Sequence, residues 1–125
     1  MIKFTEIPKS EIYTTYNTHY RDDARYFQIY KENKPLCIYG VLSRGEGVGE
    51  AFWVLNSFNK NVLTKKFFEN LFNHLFSLDF KEIYTWTRCK KLTNVFCHYN
   101  KFGIEKIDFP YWDKDETKTW FLKRI

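Results

Sequence analysis

The chain has 125 residues, 44% of them hydrophobic and 21% aromatic, and a formal net charge of +5. That length predicts one domain, residues 1–125, with a core of its own, and the apolar content excludes a disordered chain. The mild positive charge favours anionic partners, but no basic run marks a dedicated polyanion-binding tail.

In chain order, Ile2 to Ile7 alternates and predicts a first strand. Pro8 allows a helix to start, with Glu11, Tyr13 and Tyr16 on a short and weakly amphipathic segment. After the polar connection "NTHYRDDAR", Tyr26 to Tyr30 and Leu36 to Leu42 predict two strands around the turn "KENKP". The glycine-rich turn "SRGEGVG" leads to a third strand, Glu50 to Leu55. Short turns between the three predict an antiparallel meander.

The period then changes. Leu63, Phe67, Leu71 and Leu75 fall four apart, flanked by Phe68, Phe72 and Phe76, which predicts one buried face of a helix of about four turns. Lys65, Lys66, Glu69, Asn70 and Asn73 form its polar face, and Asn61 suits the N-cap. "KEIYTWTR" predicts a strand, and "KKLTNVFCHYNKF" a second helix that stops at Gly103. "IEKIDFPYW" and "TKTWFLKRI" predict a last pair of strands around the turn "DKDE". The order β-α-β-β-β-α-β-α-β-β predicts an α/β (α+β) fold: a mixed, mostly antiparallel sheet of six to seven strands with helices on both faces.

Cysteine usage points away from disulfides and metal. Cys37, Cys89 and Cys97 are odd in number and irregularly spaced, and Cys97 beside His98 lacks the paired ligands of a zinc site. "MIKFTEIPKSE" has no apolar segment of a signal peptide, and no apolar run approaches the ~20 residues that span a bilayer. The expectation is a reducing cytoplasm, of a cell or of an infected host, with no membrane partner and no metal.

Two stretches carry a family likeness. "HYNKFGIEKI", His98 to Ile107, resembles the late-helix pattern Y-x-K-x-G-F of the GCN5-related N-acetyltransferase superfamily, with Tyr99, Lys101 and Gly103 matching and Ile104 in place of the Phe. "VLNSFNKNVLTKKFF", Val54 to Phe68, is similar to that superfamily's phosphate-loop stretch. Val54 and Leu55 match its strand, Phe58 its aromatic residue, Leu63 the apolar residue between the glycines, and Phe67 and Phe68 the first buried helix pair. The glycine signature is lost: Asn59 stands for its Arg, Val62 for the first Gly and Thr64 for the second. Within the superfamily, the run from "KPLCIYG" through "GEAFWVLNS" to "FGIEKI" resembles small phage-encoded acetyltransferase-like proteins, including an internal virion protein of T7-like phages.

The resemblance implies acyl transfer from acetyl-coenzyme A to an amine-bearing substrate. Tyr99 takes the position of the acid that protonates the leaving thiolate; its structural alternative is a helix tyrosine packed at the sheet edge. Glu50 is the candidate base, against the alternative of a turn-edge surface carboxylate. His19 falls in a loop, and His74 lies by the buried helix stripe, where a structural role is the simpler reading. Val54, Leu55, Asn56 and Ser57 would pair with the cofactor arm, and Asn61, Val62, Leu63 and Thr64 would present N–H groups to the pyrophosphate. A helix start and its dipole favour an anion there. Glycine would let the phosphate approach the backbone, and β-branched Val62 crowds it.

Two non-enzymatic alternatives stand beside this. One is a phage accessory or virion-internal protein that keeps the fold as a protein-binding module. The other is a nucleic-acid module in which "YTWTRCKK" stacks bases, although an ordinary two-faced strand explains the same residues.

Overall fold

The computed structural model describes residues 2–8, 10–11, 24–53, 65–88, 90, 93–94, 97 and 102–125. Seven strands form one sheet: β1 (Ile2–Ile7), β2 (Ala24–Lys31), β3 (Lys34–Gly45), β4 (Val48–Trp53), β5 (Glu82–Thr87), β6 (Glu105–Ile107) and β7 (Thr119–Arg124). Helix α1 (Lys65–Ser77) lies between β4 and β5 in the chain. The sheet order is β1-β2-β3-β4-β5-β7-β6. Every neighbouring pair is antiparallel except β4 and β5. The mixed sheet and its central meander are as the sequence predicts.

Strand alternation sends two sets of side chains to opposite faces. Phe27, Ile29, Cys37, Tyr39, Val41, Ala51, Ile83 and Phe121 form one core with Phe67, Phe68, Leu71, Phe72 and Leu75 of α1. The apolar stripe of the helix therefore meets the sheet as its four-residue spacing requires. The opposite face carries a second core of Ile7, Ala24, Tyr26, Ile38 and Leu42, with Phe52 against it. Gly40 lies on that face opposite Phe52, where a Cβ would run into the Phe52 ring.

Boundaries differ from the sequence expectation in three places. The β2–β3 hairpin turns on Glu32 and Asn33 alone, both at positive φ, so β2 and β3 extend into the expected turn "KENKP". The β3–β4 turn is likewise tight, and β4 begins at Val48. The expected strand "IEKIDFPYW" ends at Ile107, well short of Trp112. Pro110 lacks the N–H that a ladder needs, and residues 108–118 form a long connection instead.

The second expected helix falls mostly outside the described residues. Lys90, Thr93, Asn94 and Cys97 are helical, and Gly103 follows in a turn at φ +66°. That left-handed conformation suits a glycine stop. Ser10 and Glu11 are helical as well; Tyr13 and Tyr16 lie outside the described residues. Among the described residues, no helix is long and apolar enough to cross a membrane.

Candidate active site

The parallel pair β4–β5 opens into a fork. Pairing runs from Val48↔Glu82 to Ala51↔Thr85 and then stops, while β4 continues to Trp53 and β5 to Thr87. The start of the pair is fixed by Gly47, whose carbonyl accepts from the Lys81 amide at 2.7 Å and the Glu82 amide at 3.2 Å. Its last rung is closed by the Thr85 hydroxyl, which donates to the Ala51 carbonyl at 3.3 Å. A cavity of about 20 Å³, room for one water, sits at the split among Tyr39, Ala51, Phe52, Leu71, Phe72, Leu75 and Thr85. In open α/β sheets, ligands bind where neighbouring strands part at their carboxyl ends.

Glu50 lies one rung before the end of the pairing, opposite Leu42 on β3 and Tyr84 on β5. It is buried, with 8% of its surface exposed, so the turn-edge surface reading is wrong for this residue. Burying a carboxylate requires partners. Arg44 supplies two, donating from Nε at 3.1 Å and Nη2 at 2.7 Å to Oε1. Trp112 Nε1 donates to the same oxygen at 2.8 Å, and Trp86 Nε1 to Oε2 at 3.3 Å. Oε1 thus takes three donors and Oε2 one, which leaves accepting capacity on Oε2.

An aromatic cluster surrounds this carboxylate. Tyr84 and Trp86 on β5 and Trp120 on β7 share one face, since Trp86 pairs with Trp120 and Tyr84 with Leu122. Trp112 enters from the 108–118 connection and packs edge-on against Tyr84 at 4.9 Å and Trp120 at 6.1 Å. Arg44 lies 5.0 Å over the Trp112 ring. The connection is tied down by Arg88, which donates to Thr117 Oγ1 at 2.9 Å and Asp115 Oδ2 at 2.7 Å.

Arg44, Trp86 and Trp112 were not evident as a set in the sequence. Trp112 reaches Glu50 across 62 residues. Only the alternation of "YTWTR" puts Tyr84 and Trp86 on one face.

Of the residues expected to form the site, Glu50 is described. Tyr99 and the cofactor-arm and pyrophosphate residues Val54, Leu55, Asn56, Ser57, Asn61, Val62, Leu63 and Thr64 lie outside the described residues, as does His19. Their flanks are described: β4 ends at Trp53 and α1 starts at Lys65. The first turn of α1 carries Lys65 and Lys66, both exposed, and no acid. Two cations at the positive end of a helix dipole make that terminus attractive to an anion.

His74 lies on the other face of the sheet. Its Nδ1 is bonded to the Tyr39 hydroxyl, and its ring stacks on Phe4 at 4.1 Å. Burial holds the imidazole pKa below its usual value, with Arg25 adding in the same direction, and burial pushes the Tyr39 phenol up. This pair is part of the α1-side core, away from the Glu50 cluster.

No family model matches the sequence, and no curated protein sequence is significantly similar to it. Solved structures are similar over the whole chain. An IAA acetyltransferase from Bacillus cereus superposes with a TM-score of 0.69 at 12% identity, covering 100% of both chains. The fold is that of the GCN5-related N-acetyltransferases. The PaiA N-acetyltransferase of Thermoplasma acidophilum, in complex with coenzyme A, has a TM-score of 0.66 at 10% identity, covering 100% of this chain and 99% of its own. The Campylobacter jejuni N-acetyltransferase PseH, in complex with acetyl-coenzyme A, has a TM-score of 0.60 at 12% identity, covering 99% of each chain. At these identities the likeness concerns the fold.

Proposed function

We propose that this chain is an acyl-coenzyme A-dependent N-acyltransferase, with the donor arm entering the β4–β5 fork and the acceptor amine lying beside Glu50. The observation that carries the reading is the position of Glu50, a buried carboxylate one rung from the fork, with Oε2 only lightly engaged. N-acetyltransferases solved with bound coenzyme A or acetyl-coenzyme A share the fold and lend support.

The residues present fit such a donor. The terminus of α1, with Lys65 and Lys66 and no acid in its first turn, suits a pyrophosphate, with Asn61 to Thr64 supplying N–H groups. Val54 to Ser57 would line the arm as a continuation of β4. When bound, acetyl-coenzyme A would supply the acyl thioester. Glu50 Oε2 accepts a proton from the acceptor ammonium, directly or through one water. Tyr99 would give its phenolic proton to the departing sulfur. Arg44 and the two indole N–H groups hold the Glu50 carboxylate in one orientation throughout.

The finer reading is a phage or prophage type with a degenerate pyrophosphate loop, acting in the cytoplasm of a host. The resemblance from "KPLCIYG" to "FGIEKI" supports the type, and Val62 and Thr64 in place of glycines support the degeneracy. Weaker cofactor affinity follows from the crowding at Val62.

The test is transfer of acetyl to a panel of primary amines, measured for the wild type, Glu50→Gln and Tyr99→Phe. Removing a general base or acid lowers the rate by about 10²–10⁴-fold. Wild-type turnover no faster than that of Glu50→Gln contradicts the proposal.

A further inference from the structure

The Glu50 cluster contains a second feature that acyl transfer does not by itself require. Lys118, the residue before β7, folds its side chain back over two tryptophans. Its Nζ lies 4.2 Å from the centre of the Trp86 ring and 5.8 Å from that of Trp120. The Asp113 carboxylate pairs with it at 2.5 Å. The Lys118 side chain is only 16% exposed and that of Asp113 19%. Two ring faces and a carboxylate, largely out of water, are the elements of a cage for an alkylammonium ion.

We propose that Trp86, Trp120 and Asp113 form a binding site for an alkylammonium group, and that Lys118 fills it in cis until such a ligand displaces it. Two observations support this. Trp86 stands on β5 beyond the last rung with β4, so the cage opens beside the fork. The same Trp86 indole donates to Glu50, so a cation on its ring lies next to the candidate base.

A tethered occupant competes at a high effective concentration and lowers the apparent affinity for a free ligand. Lys118 therefore sets a threshold: weakly bound amines do not open the cage. The inference deepens the acyl-transfer reading, because the displacing ion would be the acceptor amine. The binding itself needs no acyl donor, so the two readings can fail separately.

The experiment titrates the intact chain with n-butylammonium chloride at pH 7 and constant ionic strength, with no acyl donor present, and reads tryptophan fluorescence. Lys118→Met is expected to bind about tenfold more tightly than the wild type, the size of a desolvated cation–π contact. Adding Trp86→Leu to that variant is expected to remove the gain. Lys118→Gln replaces Lys118→Met if the latter does not fold, as judged by circular dichroism. The proposal is overturned if the Lys118 variant binds no more tightly than the wild type. It is also overturned if the gain survives Trp86→Leu, or if neutral butan-1-ol binds the Lys118 variant as well as the cation does. Amine binding without acyl transfer would leave the cage standing and remove the enzyme reading.

Discussion

The indole N–H of Trp112 donates to the carboxylate of Glu50 at 2.8 Å, joining the 108–118 connection to the central strand β4. This bond brings the connection over the sheet face that holds the candidate site. Trp112→Phe keeps the ring and removes the donor. Hydrogen bonds to charged groups contribute about 1.5–3 kcal/mol, and the remaining donors on Glu50 soften the loss. Urea unfolding is expected to show a loss of about 1–2 kcal/mol. A midpoint unchanged from wild type contradicts the bond.

Arg44 and Glu50 form the second tie. Breaking a fully buried ion pair by removing one partner costs about 3–5 kcal/mol. Here Glu50 is 10% exposed and Arg44 29% by side chain, so Arg44→Met is expected to cost about 2–3 kcal/mol. The double variant Arg44→Met/Glu50→Leu is expected to recover part of that, since no lone buried charge remains although the Trp112 and Trp86 indole N–H groups lose their acceptor. Denaturant midpoints of the two variants check this, and a double variant as unstable as Arg44→Met contradicts it.

Gly40 and Phe52 face each other on adjacent strands, at register partners. Gly40→Ala places a methyl group into the Phe52 ring and is expected to cost about 1–3 kcal/mol. Shortening the ring to leucine in Gly40→Ala/Phe52→Leu is expected to return part of it. A double-mutant cycle with zero coupling energy rules out the contact.

His74 gives the fold a pH dependence of known sign. Its folded pKa is depressed by burial, with Arg25 next in size, from an unfolded value near 6.5. Between those two values the unfolded chain binds more protons than the native one, so stability rises with pH there. The stabilisation is complete above about pH 6.5 and is lost as pH falls toward the folded pKa. The wild type should therefore lose more stability between pH 7.5 and pH 5.5 than His74→Gln, a comparison on the order of the titration window. Equal losses in thermal unfolding contradict the burial of a neutral imidazole beside Tyr39.

Cys37 should be silent to thiol reagents in the native state. Burial pushes its thiol up to about 12, so almost no thiolate forms near neutral pH. Peptide mass spectrometry after iodoacetamide treatment is expected to find Cys37 unmodified in buffer and modified in denaturant. Rapid native labelling contradicts its placement in the core.

The fold was legible because its signals are local. The i, i+4 run of Leu63, Phe67, Leu71 and Leu75 has one solution, a helix with one buried face, and Phe67, Leu71 and Leu75 are buried in α1 as that predicts. The apolar and aromatic runs Tyr26 to Tyr30 and Leu36 to Leu42, on either side of a short turn, likewise fix the hairpin that pairs them. The site was less legible because its partners are distant. Glu50 stands beside a turn in sequence, which reads as exposed, and only the fold brings Arg44, Trp86 and Trp112 onto it. Aromatic residues favour strands, so Trp112 reads as part of one in sequence, whereas Pro110 breaks the ladder before it and the strand ends at Ile107.

The most direct measurement is calorimetric titration of the purified chain with acetyl-coenzyme A. Binding in the micromolar range, weakened when Lys65 and Lys66 are changed to Glu, is the result predicted for a donor held at the α1 terminus beside the β4–β5 fork. The absence of both heat and a thermal shift at millimolar ligand would contradict the account.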